Sequence, residues 1–345
     1  MSGILHPNRD SVEGSLEAER KCPVEPAGWP ESLKLAIRSG GELCKHLGLP
    51  TEPFCGPAEK DFPVFVPLEY LQRMRPGDPK DPLLLQVISS DLELGPGGEM
   101  DPVGDAASEI SGGLLQKYQR RVLLIASGAC AVHCRYCFRR NYPYEEVPKG
   151  QPVWEDWLNH IRNDSQIDEV ILSGGDPLSV VDSRLAWFAE ELAGINHVRR
   201  LRVHSRFPVV VPSRIDADLI EWVSNAKLSI YFVLHINHAN ELDQDLADGI
   251  ARLRQAGATV LNQAVLLKGV NDSFEALSAL CLSLVDIGVL PYYLHQLDLV
   301  RGGMHFAVED QVAIGLMERL RAALPGYAVP KLVREEAGRA SKSPL

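Results

Sequence analysis

The sequence has 345 residues, 45% hydrophobic and 23% charged, the balance of a globular protein with room for a large core. Its formal net charge of −11 argues against nucleic acid or anionic membrane as a generic partner, because counterion release needs a basic face. No stretch approaches the ~20 apolar residues that span a bilayer, and the acidic start MSGILHPNRDSVEGSLEAER has no signal pattern, so a cytoplasmic protein is expected.

Helical periodicity appears first at Glu31–Leu47 and Pro67–Arg73, between Pro- and Gly-rich connections, and DLELGPGGEMDPVGD reads as a loop. From residue 121 short apolar runs take over: RVLLIAS, EVILSGG, RRLRVHS, LSIYFVLH, TVLNQAVLL and LPYYLHQLDL. Helical patterns separate or follow them at Val153–Arg162, Arg184–Ala193, Asp216–Ser224, Leu242–Gln255, Phe274–Ile287 and Glu309–Ala323. Such alternation predicts an α/β protein with a parallel sheet built from βαβ units. Six units are too few for a closed eight-stranded barrel, and periodicity alone leaves an open doubly wound sheet as the alternative. Residues 1–110 read as a mostly helical N-terminal extension, 111–325 as the core and 326–345 as a short C-terminal tail. In either architecture function gathers at the carboxyl ends of the strands. The polar signals fall there: cysteines after the first run, SGGDP after the second, Arg206 after the third and His235 after the fourth.

Of the seven cysteines, Cys22, Cys44, Cys55 and Cys281 are scattered, whereas Cys130, Cys134 and Cys137 crowd into CAVHCRYC. In a reducing compartment that crowding points to metal or redox chemistry rather than disulfides. Three thiolates can hold three irons of a cubane and leave the fourth open to a ligand. The alternative is zinc, with His133 or a distant residue as fourth ligand. An electron-transfer cluster would need a fourth local cysteine, and none follows. In VILSGGDPL, Gly174 and Gly175 allow close backbone approach and Asp176 can accept from an ammonium. Gly97, Gly98 and Glu99 repeat the Gly-Gly-acid pattern, but ahead of the cysteines and in a loop.

CxxxCxxC with Tyr136 before the last cysteine resembles the signature of the radical S-adenosylmethionine (SAM) superfamily. The resemblance implies a partial (β/α)6 barrel and a [4Fe–4S] cluster on Cys130, Cys134 and Cys137, with SAM chelating the open iron. An external electron donor would then drive cleavage to a deoxyadenosyl radical. Gly174, Gly175 and Asp176 would meet the SAM amino group, and Tyr136 the adenine. The strings KYQRRVLL, CRYCFRRN, LSGGDPL, SRFPVVVPSRI, NQAVLLKGVND and PYYLHQLDLVRGGMHF resemble, in order, the lysine 2,3-aminomutase family. The ending SKSPL is most similar to the short bacterial branch that makes (R)-β-lysine for modification of elongation factor P.

That resemblance implies an isomerase that moves the amino group of lysine from Cα to Cβ with pyridoxal phosphate (PLP). It assigns Arg139 to the substrate carboxylate, a pairing that guanidinium geometry suits. His235 and Gln263 would line the SAM site, and Arg206 and Lys117 would hold the PLP phosphate. Lys342 would form the Schiff base; by position alone Lys268, ending the fifth run, is the physical favourite. Asp298 and Glu335 would grip the side-chain ammonium. Another basic amino acid as substrate, or a radical SAM reaction without PLP, is the alternative. Lysine and an electron donor are the expected partners, with no nucleic acid or membrane, elongation factor P served only indirectly, and an oligomer open. The chain ends at Leu345 without the C-terminal cysteine group of longer family members, so their zinc is not expected.

Overall fold

The computed structural model describes residues 28–52, 54–147 and 150–345; Cys22 and the N-terminal segment read for a signal lie outside them. Its sheet has ten strands in chain order: β1 (Glu109–Ser111), β2 (Leu114–Leu115), β3 (Arg121–Ser127), β4 (Glu169–Gly174), β5 (Arg200–Ser205), β6 (Ser229–Leu234), β7 (Thr259–Val265), β8 (Leu290–His295), β9 (Lys331–Arg334) and β10 (Ser343–Pro344). Strands β3 through β9 are parallel, and antiparallel pairings add β1 and β2 at one edge and β10 at the other. All six apolar runs are strands. Two-sided burial explains their near-continuous apolar reading: in β4, Val170, Ile171, Leu172 and Ser173 are all buried.

The N-terminal region contributes short helices α1 (Trp29–Lys34), α2 (Gly40–Leu47), α3 (Ala58–Asp61), α4 (Leu68–Leu71) and α5 (Asp105–Ser108). The periodic stretch Glu31–Leu47 is thus two helices. Ile37 leaves the helical path to pair with Val66 through two backbone hydrogen bonds, and Ser39 then caps α2 by accepting from Glu42 N.

After β3 the helices are α6 (Gln151–Asn163), α7 (Asp182–Ala193), α8 (Phe207–Val210), α9 (Ala217–Asn225), α10 (Gln244–Gln255), α11 (Phe274–Asp286) and α12 (Asp310–Ala323). Six of them cover the sheet, α8 being a single turn after β5. Three of them, α9, α10 and α11, start at side-chain caps: Asp216, Asp243 and Ser273 accept from Leu219 N, Leu246 N and Ala276 N. Trp154, Trp157, Leu158 and Ile161 form the buried stripe of α6 at helical spacing.

The sheet curls. Tyr118, just ahead of β3, donates to Glu335 Oε1, just after β9, at 2.5 Å, so the two ends of the parallel set meet across its concave side. This is a partial α/β barrel, with six strand–helix units and a seventh parallel strand. The seventh strand, β9, was not visible as an apolar run because it is only Lys331–Arg334.

The N-terminal region also builds the wall behind the cysteine loop. His133 N donates to Phe65 O, Arg135 N to Gln86 O, and Arg135 Nη1 to Phe62 O at 2.6 Å. The second Gly-Gly-acid string is a packing feature. A Cβ on Gly98 would lie 2.5 Å from the Val300 carbonyl carbon, and Glu99 pairs with Leu299 and Arg301 beyond β8.

Candidate active site

A cavity of about 450 Å³ opens at the carboxyl ends of the strands. Cys130, Cys134 and Cys137 line it from the loop after β3, and Lys342 and Glu335 line it from the C-terminal segment. Gly174 and Gly175 are required by their contact with that loop. Gly174 has φ +116°, and a Cβ there would sit 2.5 Å from Ser127 O; on Gly175 it would sit 2.5 Å from Ala129 O. Gly175 N and Asp176 N then donate to those same two carbonyls at 2.7 Å.

Asp176 lines the cavity, but both of its carboxylate oxygens accept hydrogen bonds from within the protein. Oδ1 accepts from Ser205 Oγ at 2.7 Å and Leu178 N at 3.0 Å; Oδ2 accepts from Arg206 N at 2.8 Å and Phe207 N at 2.9 Å. It ties the end of β4 to the end of β5.

Burial and the neighbouring thiols push Cys130 up, and push Cys137 up to about 11. Among the described residues, no three His, Cys, Asp or Glu side chains converge on a point that would suit one metal ion. A cubane puts each thiolate on its own iron, so its sulfurs stand further apart than those around a single ion. His133, the candidate fourth zinc ligand, has Nδ1 2.8 Å from Pro63 O and its ring stacked on Phe62. Three cavity-facing sulfurs with His133 engaged elsewhere fit the open cubane better than a Cys3His zinc.

Beside the cysteines lies a buried polar network. Tyr136 stacks on His235 with ring centroids 5.7 Å apart and Oη 2.9 Å from His235 Nε2. Arg206 and Asn237 both donate to Tyr136 Oη, whose hydroxyl hydrogen has His235 Nε2 at 2.9 Å and Gln86 Oε1 at 3.3 Å as acceptors. Burial, then the Arg206 charge, pushes His235 down to about 3, so it is a neutral acceptor. Gln263 lines the cavity from β7. Arg206 stands on this side too, with Nη1 2.8 Å from Cys134 Sγ and Nη2 bonded to Tyr70, Gln86 and Glu241. The sequence pointed it at a phosphate; here every Nη contact is with the cysteine-side wall.

A second set of lining residues holds the charged groups. Arg139 is buried, with Nε 2.7 Å from Asp105 Oδ2 and Nη1 2.9 Å from Ser173 Oγ. Lys117 Nζ contacts Asp105 Oδ1 at 2.8 Å. Burial alone would raise Asp105, but Arg139 and Lys117 outweigh it and hold the carboxyl below its usual range. Asp298 is pushed up to about 7 by burial, with Lys342 pulling against that and Glu335 adding to it. Lys342 donates to Glu335 Oε2, while Tyr118 takes Oε1. Lys268 is exposed and outside the cavity lining, so of the two candidate lysines only Lys342 faces the site.

Sequence reasoning missed Asp105, Arg121, His204 and His295. Arg121 lines the cavity over the Tyr118 ring at 4.7 Å, with no carboxylate paired to it among the described residues. His204 and His295, on β5 and β8, have buried Nε2 atoms without a partner, and burial followed by nearby cations keeps both rings neutral. Their positions at the carboxyl ends of strands were the available signal; Asp105, on a one-turn helix, gave none.

Residues 119–197 match the family model for a 4Fe-4S single cluster domain. With the cysteines at the mouth of a partial barrel, that makes this an iron–sulfur enzyme of the radical SAM type. Over 322 residues the chain is 44% identical to an L-lysine 2,3-aminomutase of Escherichia coli, covering 92% of this chain and 94% of that one. It is 43% identical over 333 residues to an L-lysine 2,3-aminomutase of Haemophilus influenzae, covering 94% and 98%. With that of Clostridium subterminale the identity is 34% over 329 residues, covering 92% and 77%. The chain belongs to the lysine 2,3-aminomutase family, a family of isomerases. A radical SAM methyltransferase from Sphaerobacter thermophilus is similar in structure at a TM-score of 0.44 and 14% identity over 64% of this chain and 68% of that one, too distant to carry weight. Among the described residues no helix is long and apolar enough to cross a membrane.

Proposed function

We propose that this enzyme converts L-lysine to β-lysine with a [4Fe–4S] cluster, SAM and PLP. The observation that carries the substrate is Lys342 itself: a lysine ammonium already sits on Glu335, with its charge acting on Asp298. Two acids facing a primary ammonium select a basic side chain and repel an acidic one. Arg139, which also lines the cavity, is the cation for the substrate carboxylate. Asp105 holds that guanidinium in place.

Cys130, Cys134 and Cys137 hold the cluster. Gly174, Gly175 and Asp176 keep the cysteine loop against β4 and β5, and Tyr136, His235 and Gln263 form the wall for SAM. SAM bound at the cluster supplies a hydrogen-abstracting radical, and PLP supplies an electron sink for the migrating nitrogen. Lys342 is the amine that attaches PLP, for which cavity placement favours it over Lys268. Lys117 and Arg121 are the cations for the phosphate. Arg206, whose two Nη groups are engaged at the cysteine side, is left out of that role. With both ends of lysine gripped, Cβ is fixed relative to the radical source. An external one-electron donor is required. The likeness of SKSPL to the short branch supports a product destined for modification of elongation factor P.

The test is anaerobic turnover of reconstituted protein with PLP, SAM, a strong reductant and L-lysine, scored for β-lysine. β-Lysine formation supports the reading. SAM cleavage without β-lysine would overturn the substrate, and an intact cluster that never cleaves SAM would overturn the radical chemistry.

A further inference from the structure

We infer that Arg206 sets the reduction potential of the cluster, by holding a charged N–H donor on the sulfur of Cys134. The inference rests on the proposed cluster site and concerns a group that the sequence placed elsewhere.

Arg206 follows β5 and starts α8. Its backbone N is fixed by Asp176, and its guanidinium is buried. Nη1 lies 2.8 Å from Cys134 Sγ. Its place does not depend on the thiol. Nη1 also donates to Tyr136 Oη, and Nη2 reaches Gln86 Oε1 at 2.8 Å, Tyr70 Oη at 3.0 Å and Glu241 Oε2 at 3.1 Å. The Tyr70 and Tyr136 rings flank it at 5.5 and 5.7 Å. A donor held by four protein acceptors stays where it is whether Cys134 carries a proton or an iron.

The counter-charge is arranged asymmetrically. Glu241 is fully buried and meets Nη2, while the sulfur meets Nη1. Glu241 Oε1 is itself spent on Gln86 Nε2, Asn237 N and His238 N. The pair therefore presents its positive end to the sulfur. One-electron reduction adds negative charge to the cluster and its thiolates. A cation donating to one of those thiolates stabilises the reduced form more than the oxidised form, which raises the potential. Low local polarizability enlarges that effect.

Arg206 is a positioning and tuning residue, so the readout is a potential rather than turnover. The experiment is an anaerobic redox titration, followed by electron paramagnetic resonance, of the reconstituted wild-type protein, Arg206→Gln, Arg206→Lys, Glu241→Gln and Tyr70→Phe. All are matched for iron content, without SAM. Arg206→Gln should lower the reduced-to-oxidised ratio at a fixed poise roughly tenfold, which is 59 mV for one electron, and Arg206→Lys should lower it less. Glu241→Gln should move the potential the other way. Tyr70→Phe, which removes one network bond but not the sulfur contact, should leave it unmoved. If Arg206→Gln fails to hold four irons, the upward shift in Glu241→Gln carries the test alone. An intact cluster whose potential ignores both charges would overturn this inference and leave the site standing. A wild-type protein that assembles no four-iron cluster would overturn the site reading as well. Loss of PLP from Arg206→Lys at unchanged potential would return Arg206 to the phosphate and overturn the inference.

Discussion

Lys342 donates to Glu335, seven residues earlier, across the antiparallel pairing of β9 with β10. The same carboxylate accepts from Tyr118 at the far edge of the parallel set, so one acid fastens the end of the chain to the start of the barrel. The lysine ammonium thereby occupies one of the two acids proposed for the substrate's ammonium. Engaging the Lys342 nitrogen elsewhere vacates it.

Lys342→Ala should abolish PLP attachment, seen as loss of the visible absorbance of the protein-bound coenzyme, and should abolish β-lysine formation. Iron content should match wild type, because the Lys342 side chain bonds to Glu335 and not to a cysteine. Lys268→Ala, at an exposed position, should keep both the absorbance and turnover.

Asp298 is pushed up to about 7, so it is neutral below that pH and ionised above it. A cationic side chain binds the ionised form better. The KM for lysine should therefore fall as pH rises from about 6 to about 8. Asp298→Asn should remove that dependence and raise KM roughly 10- to 100-fold, the worth of one charge-assisted hydrogen bond. A KM profile unchanged by the substitution would remove Asp298 from the substrate site.

Arg139→Lys keeps the charge but loses the fork that serves Asp105 and Ser173 together. kcat/KM for lysine should fall roughly 10- to 100-fold, with cluster iron unchanged. Steady-state kinetics beside an iron assay separates this from damage to the cysteine loop.

Gly175→Ala should act through the cysteine loop. The added Cβ would meet Ala129 O at 2.5 Å and the Gly128 carbonyl carbon at 2.8 Å, both backbone atoms that cannot rotate away. Overpacking of that kind costs about 1–3 kcal/mol. The melting temperature of the metal-free protein should fall, and less iron should be retained after reconstitution. An unchanged melting temperature would show that the loop can shift.

Much of the barrel was legible because burial is local and periodic. Each run from RVLLIAS to LPYYLHQLDL became a strand, and the ends of α10 and α11 lie within two residues of the patterns that announced them. The cysteine cluster, the glycines after β4 and the aromatic Tyr136 were equally visible, since each is fixed by spacing within one loop. Glu31–Leu47 misled because a periodic pattern does not show the pairing of Ile37 with Val66 that breaks it.

By itself the sequence determined which residues lie at the carboxyl ends of strands, because alternation of apolar runs with amphipathic helices settles which end of each strand faces the site. Only the tertiary structure decided what those residues touch. Tyr118 and Glu335 are 217 residues apart, Arg206 and Cys134 are 72 apart, and Arg139 and Asp105 are 34 apart. No local period encodes such partners. They follow from the curl of the sheet, which brings its two edges together and turns a C-terminal lysine inward onto a buried acid.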